Sequence, residues 1–330
     1  MNITKIIKGL NTKNNRILLF MTALAVICCL FFMYYGLSGY SQKTFDYAIK
    51  IRKPRLFAMI IAGVCIGGAS IAFQSVIRNT IVTPCLLGMN SLYSLIQTSV
   101  FFFLGVNSAL LYNANLFFLV NLTIMAVVAV VMYGYLFRKT NYNVLYVLLA
   151  GTVLSSLFGS LTSGMTRIMD PNTYDTLLDN LVASFGRVNS DILWISVALI
   201  LAVVIIFYKD IALLDVITMG KNQAINLGVD YDKTISRILL AVVILIAIAT
   251  ALVGPISFLG LIIANISRQL FKTYKHSYLL LGSMLAGIIV LAGGQAFIEH
   301  VLPFTTYISV IINIFGGGYF LFLIFKNKGA

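Results

Sequence analysis

An all-α, polytopic membrane fold of about ten transmembrane helices is what this 330-residue chain predicts. Three observations predict it. Charged residues make up only 10% of the sequence, where soluble domains carry about 25%. Hydrophobic residues make up 60%, with a mean hydropathy of +0.98. Apolar runs near the length of a bilayer crossing recur along the chain, separated by basic or Gly/Pro-containing connectors.

Taken in order, Met1 to Arg16 is a basic start, with Lys5, Lys8, Lys13 and Arg16. Ile17 to Gly36 is uncharged and long enough to span, too long for a signal-peptide core, and no small-residue cleavage site follows. It reads as an uncleaved first helix. Residues 37–55 read as a polar connector. Further apolar runs lie at 56–77, 86–106, 115–137, 144–166, 191–208, 236–254, 256–270, 278–298 and 304–325, which makes ten with the first. The 256–270 run is short and parts from its neighbour only at Gly254-Pro255.

Charge sets an orientation. With the N-terminus inside, 16 of the 23 Lys and Arg residues fall on the cytoplasmic side, which predicts both termini cytoplasmic. The +13 net charge is therefore read through the positive-inside rule, and no nucleic-acid partner is expected. Five of the seven exceptions, Lys43, Lys50, Arg52, Lys53 and Arg55, cluster just before the second helix. They suit either an acidic partner outside or snorkelling at the interface.

No Asp, Glu, Lys or Arg sits near the centre of the ten runs. Ion-driven transporters keep ionisable groups there, so energy for uphill transport has to come from another subunit. The polar groups at depth are Gln74, Gln97, Asn121, Asn265, Gln295 and Asn313. No P-loop occurs; Gly220-Lys221 lacks the upstream glycine and the hydroxyl residue. The four cysteines form no CxxC, and His276 and His300 lie at opposite helix ends, so no metal and no cofactor is expected.

Two stretches stand out. Arg52 to Gly88 opens on two arginines around Pro54, continues with Gly63-x-x-x-Gly67-Gly68, which allows close helix approach, and ends on Arg78-Asn79 and Thr83-Pro84. Lys209 to Arg237 holds Lys221, Asp230 and Asp232 among apolar residues in two short helical pieces parted by Gly220, the second ending at Gly228. It suits a docking surface for a soluble subunit or an interfacial helix. A small polar stripe, Ser155, Ser156, Gly159, Ser160, Ser163 and Gly164, fits either a wide translocation path or helix packing.

These residues resemble the FecCD family, permease subunits of binding-protein-dependent ABC importers for ferric siderophores, haem and vitamin B12. The resemblance runs from Arg52 onward. It rests on Arg52-x-Pro54-Arg55 with Gly67-Gly68, Gln74, Arg78-Asn79, Pro84 and Leu87-Gly88; on Ala224-Ile225-Asn226-Leu227-Gly228-Val229; on Gly254-Pro255-Ile256-Ser257-Phe258-Leu259-Gly260 with Arg268; and on Gly316-Gly317-Gly318-Tyr319-Phe320. Thr80, Ala264 and Asn265 depart from the family's Pro, Pro and His, and Gly293-Gly294-Gln295 replaces an aspartate-containing segment. Residues 87–98 and 308–313 are similar to the branch that pairs with a second permease in catechol-siderophore importers.

The resemblance implies a non-enzymatic permease of the bacterial cytoplasmic membrane, 1–330 as one transmembrane domain with a coupling segment at 209–237. It implies inverted-repeat halves, echoed faintly in PCLLG at Pro84 and PISFLG at Pro255. The implied partners are a second permease in a homo- or heterodimer, two ABC ATPase subunits, an extracytoplasmic substrate-binding protein and membrane lipid. The implied roles are docking of the binding protein on Arg52, Arg55 and His300; ATPase coupling through Lys221, Ala224, Leu227 and Gly228; a gate at Asn141 and Asn143; a path past Ser156 and Ser160; and helix packing at Gly63, Gly67 and Gly68.

Overall fold

The computed structural model describes residues 3–37, 41–105, 108, 111, 113–140, 144–186, 188, 190–301 and 306–328. Every regular element among them is helical. The chain begins with α1 (Ile3–Tyr34) and α2 (Gln42–Ile77), then a short 3₁₀ turn at Pro84–Leu87 leads into α3 (Met89–Leu104). Next come α4 (Ala114–Lys139), α5 (Val144–Ile168), the short α6 (Pro171–Leu181) and α7 (Ser190–Ala212). Two small helices, α8 (Leu214–Ile217) and α9 (Lys221–Asn226), lead into α10 (Tyr231–Val253) and α11 (Leu259–Leu270). A π-turn at Ile289–Gly293 joins α12 (His276–Ile288) to α13 (Gly294–Val301), and α14 (Ile308–Lys328) closes the chain.

Among the described residues, seven helical stretches are long and apolar enough to cross a membrane: Thr12–Tyr34, Gln42–Ile77, Ala114–Leu136, Tyr146–Ile168, Ser190–Ala212, Tyr231–Val253 and His276–Val301. The other three apolar runs are helical but shorter. α3 has 16 residues and α11 has 12, and the apolar part of α14 is Ile308–Leu323. At about 1.5 Å per residue, α3 covers roughly 24 Å of a hydrocarbon layer about 30 Å thick. α3 and α11 start against one another: Asn90 Nδ2 donates to Ser257 Oγ at 3.1 Å, and the Cys85 thiol lies 3.8 Å from the Ile256 carbonyl.

The core is built around α2 and α10, the two most buried spans. From Ala58 to Val76 almost every residue of α2 is buried, which explains why the stretch carries no charge and is mostly small or aliphatic on all sides, with Phe73 and Gln74 near its end. α12 lies along it. A Cβ on Gly63 would sit 2.9 Å from the backbone of Gly287 and Ile288, and one on Gly67 would sit 2.7 Å from the Ser283 carbonyl. The two helices therefore touch backbone to backbone, which only glycine allows. Gly68 differs, since its nearest neighbour would be the flexible end of Met284.

The start of α2 differs most in kind from the sequence expectation. Residues 42–55 are not a connector but the first turns of α2. Phe45, Ala48 and Ile49 are half-buried there while Lys43, Asp46, Lys50 and Lys53 face out, a helical spacing that a reading by hydropathy alone scores as polar. Pro54 lies inside this helix, where it lacks the N–H that would bond back to the preceding turn.

Candidate functional site

Arg52, Arg55 and His300 come together at one end of the bundle, where α1 ends, α2 begins and α13 ends. The distribution of work among them is uneven. Arg52 Nη1 donates to the carbonyls of Phe32 at 3.0 Å, Met33 at 3.1 Å and Tyr35 at 2.9 Å, and its guanidinium lies over the Phe32 ring. It thus caps the last turn of α1, whose carbonyls have no partner within the helix. Arg55 stands 4.0 Å from Glu299, which also accepts from Gln295 at 2.9 Å. His300 bonds back to the Ala296 carbonyl at 2.8 Å and lies edge-on to Tyr35. The cations that face outward are Lys43, Lys50 and Lys53, one stripe of α2 that also carries Asp46.

This geometry separates two roles. Arg52→Ala removes hydrogen bonds from a charged donor, each worth about 1.5–3 kcal/mol. The expected result is fraying at the end of α1, read as a new protease-sensitive site between residues 34 and 42, with Arg55→Ala leaving that site closed. Equal protection in both variants would overturn the capping role.

The other end of the bundle carries the segment between α7 and α10. Gly220 (φ +119°) and Gly228 (φ +82°) bound α9, and the Val229 N–H donates to the Ala224 carbonyl at 3.0 Å, closing the helix as a C-terminal cap does. Lys221 pairs with Asp232 at 2.9 Å, tying the start of α9 to α10. Ala224 is fully buried beneath this segment, while Met219, Ile225 and Leu227 are 57%, 51% and 62% exposed. Arg78, held left-handed at the end of α2, reaches the Ile217 carbonyl at 3.4 Å and lies against Gly220.

Between α8 and the core runs a polar network that the sequence reading did not assemble. The Asp215 carboxylate accepts from the His276 backbone N–H at 2.8 Å and contacts the His276 ring at Nδ1. His276 Nε2 meets Ser75 Oγ at 2.8 Å, and Arg268 Nη2 donates to the same Ser75 hydroxyl at 3.1 Å. Arg268 Nε donates to Gln74 at 3.3 Å, and Gln74 Nε2 donates to the Thr80 carbonyl at 2.9 Å. Asn265 Nδ2 reaches that carbonyl from α11 at 3.2 Å. Gln74 and Asn265, each a lone polar residue in an apolar run, thus converge on the loop between α2 and Pro84. A signal was present in the apolar context of Gln74, Asn265 and Arg268, but spacing along one helix says nothing about partners on three others.

The stripe on α5 is exposed at Ser156, Ser160, Ser163 and Gly164 and half-buried at Ser155 and Gly159. Ser156 and Ser160 turn their hydroxyls back to the carbonyls of Thr152 and Ser156, at 3.2 and 2.9 Å, so their O–H donors are used within the helix and their oxygens are left as acceptors. A Cβ on Gly159 or Gly164 would meet nothing within 4 Å, so no described residue of this chain packs on them. Asn141 and Asn143 lie outside the described residues. Among the described residues, no group of three His, Cys, Asp or Glu side chains is placed to hold a metal ion.

Comparison with known proteins adds four findings. The FecCD transport family matches residues 17–326. The petrobactin import system permease protein YclO of Bacillus subtilis (strain 168) is 38% identical over 316 residues, which cover 96% of this chain and 99% of that protein. The petrobactin import system permease protein FatC of Bacillus anthracis is 32% identical, over 89% of this chain and 85% of its own length. Among solved structures, a metal-chelate type ABC transporter in an inward-facing conformation superposes with a TM-score of 0.79 at 23% identity, covering 94% of this chain and 99% of that one. That likeness is one of fold.

Proposed function

We propose a siderophore-import role for this chain, which belongs to the FecCD transport family. It is a multi-pass transport permease of the cytoplasmic membrane. The observation that carries the substrate is the 38% identity, spanning almost the whole of both chains, with a permease that imports petrobactin. A second petrobactin permease at 32% supports it, whereas the hemin permease of Yersinia pestis and the vitamin B12 permease of Vibrio vulnificus stand at 27% and 24%. The substrate is accordingly a ferric siderophore of the petrobactin kind.

The rest of the reading follows from that substrate and from the two ends of the bundle. The chain acts as one transmembrane domain, residues 1–330, crossing the membrane ten times with α3, α11 and α14 as its shorter crossings and both termini in the cytoplasm. The Arg52 end faces outward and docks a substrate-binding protein, with Lys43, Lys50, Lys53 and Arg55 meeting its carboxylates and Arg52 holding the surface in shape. The segment around Lys221 to Gly228 faces the cytoplasm and seats in a separate ATPase subunit. A second permease, identical or different, covers α5, and the chelate passes between the two chains along the Ser156–Ser160 stripe. The chain itself performs no covalent chemistry; closure of the ATPases on ATP switches which end is open.

The test is uptake of radioactive iron supplied as its petrobactin chelate into cells with and without the gene. Loss of uptake on deletion and recovery on re-expression are expected. Unchanged uptake, or loss of haem or vitamin B12 uptake instead, would overturn the substrate. On the outer surface, Lys50→Glu with Lys53→Glu is expected to abolish stimulation of ATP hydrolysis by the loaded binding protein while the permease complex still assembles. Undiminished stimulation would refute docking on that stripe.

A further inference from the structure

The Asp215–His276–Ser75–Arg268 network lies where the cytoplasmic segment meets the core, and neither packing nor docking accounts for it. It joins four helices at their ends. Asp215 belongs to α8, His276 opens α12, Ser75 lies in the last turn of α2, and Arg268 lies in the last turn of α11. Ser75 and His276 are 3% and 5% exposed. Buried polar side chains of this kind specify a geometry, because each lost link leaves a partner unsatisfied away from water.

The donors and acceptors run in one consistent order. Asp215 accepts from the His276 backbone N–H and from Nδ1–H of the ring. Nε2 is then an acceptor and takes the Ser75 hydroxyl proton, which frees the Ser75 oxygen to accept from Arg268. Arg268 donates its Nε–H to Gln74 Oε1, and Gln74 Nε2 donates to the Thr80 carbonyl. Two oxygens accept twice: Asp215 Oδ1, from the backbone and the ring of His276, and the Thr80 carbonyl, from Gln74 and from Asn265 of α11. Displacing Asp215 therefore unseats the start of α12, the end of α2 and the end of α11 together.

We infer that this network is the joint through which movement of the docked cytoplasmic segment reaches the transmembrane helices, with Asp215, His276, Ser75 and Arg268 as positioning residues for transport. The inference rests on the permease reading above. Within it, α9 is the part that meets the ATPase and α8, one turn away across Gly220, is the part that pulls. The Arg78 contact to the Ile217 carbonyl is a second strap on the same small helix. The endpoint, the Thr80 carbonyl, lies in the loop that leads from α2 to the Pro84 turn and α3. A shift of α8 thereby moves the packed core and the entry to α3 as one unit.

The experiment uses the whole importer, permeases with ATPase, in liposomes with the loaded binding protein, and reads iron imported per ATP hydrolysed. Allosteric couplings are typically about 5- to 150-fold, so Ser75→Ala and Asp215→Ala are each expected to lower that ratio by about tenfold or more. Asp215→Asn keeps the accepting oxygen and is expected to hold the ratio within about twofold of the unaltered importer. A network that only stabilises the fold would give less assembled complex with an unchanged ratio in what remains, and that result overturns the inference. So does failure of both alanine variants to assemble, which would make the network a folding element. If the unaltered chain neither assembles with an ATPase nor imports iron, the permease reading fails instead.

Discussion

Gly67→Leu is expected to prevent accumulation of folded permease in the membrane. A Cβ at Gly67 would lie 2.7 Å from the Ser283 carbonyl and 2.8 Å from the Met284 nitrogen, both backbone atoms of α12. Neither can rotate aside as a side chain would. Even Gly67→Ala sets two effects against each other. Alanine gains about 1 kcal/mol of helix propensity over glycine, while overpacking a tight core costs about 1–3 kcal/mol and more where backbone must move. Overpacking wins here, and leucine adds three further carbons to the same contact. Gly68→Ala is the contrast, because its neighbour is the terminal methyl of Met284. Yield of monodisperse protein and the thermal midpoint in detergent measure both. A Gly67→Leu protein with unaltered yield and midpoint would refute backbone contact between α2 and α12.

The sequence made this contact half legible. The spacing of Gly63, Gly67 and Gly68 shows that one helix approaches another closely, but nothing in it names α12, since Gly287 and Ser283 lie more than two hundred residues away. The apolar runs were legible as helices because lipid enforces that periodicity-free composition. Their ends were not. α2 starts at Gln42 because a helix can leave the membrane and continue as an amphipathic one, and hydropathy drops where the bilayer ends, not where the helix does. α6 was missed for a related reason. It is polar, and its signal is local: Asp170 caps the Asn172 and Thr173 N–H groups and Pro171 opens the first turn. The arginines of Arg52-x-Pro54-Arg55 read as a matched pair in sequence. In space they are neighbours on one face of α2, but their partners differ: Arg52 reaches the carbonyls at the end of α1, and Arg55 stands beside Glu299.

Ile225→Asp with Leu227→Asp is expected to abolish co-purification of the ATPase and all iron uptake, without loss of the folded permease. Both side chains are more than half exposed, so the chain itself gains little from them. Their positions are nevertheless fixed. Ala224 is fully buried, Gly228 closes the turn with a positive φ, and the Lys221–Asp232 pair holds the start of α9 to α10. Burial of one large aliphatic side chain contributes about 1.5–3 kcal/mol, so losing two weakens docking by roughly 10²- to 10⁴-fold. Reversing charges in the same segment is a weaker and less clean probe. Lys221→Glu breaks an exposed pair worth about 0–1 kcal/mol. Asp230 caps α10 by accepting from the Lys233 N–H, so its replacement costs about 1 kcal/mol of the chain's own stability before any partner is considered. A segment that instead lies on lipid would leave co-purification in detergent intact after the double aspartate change, and that outcome would refute docking at α9.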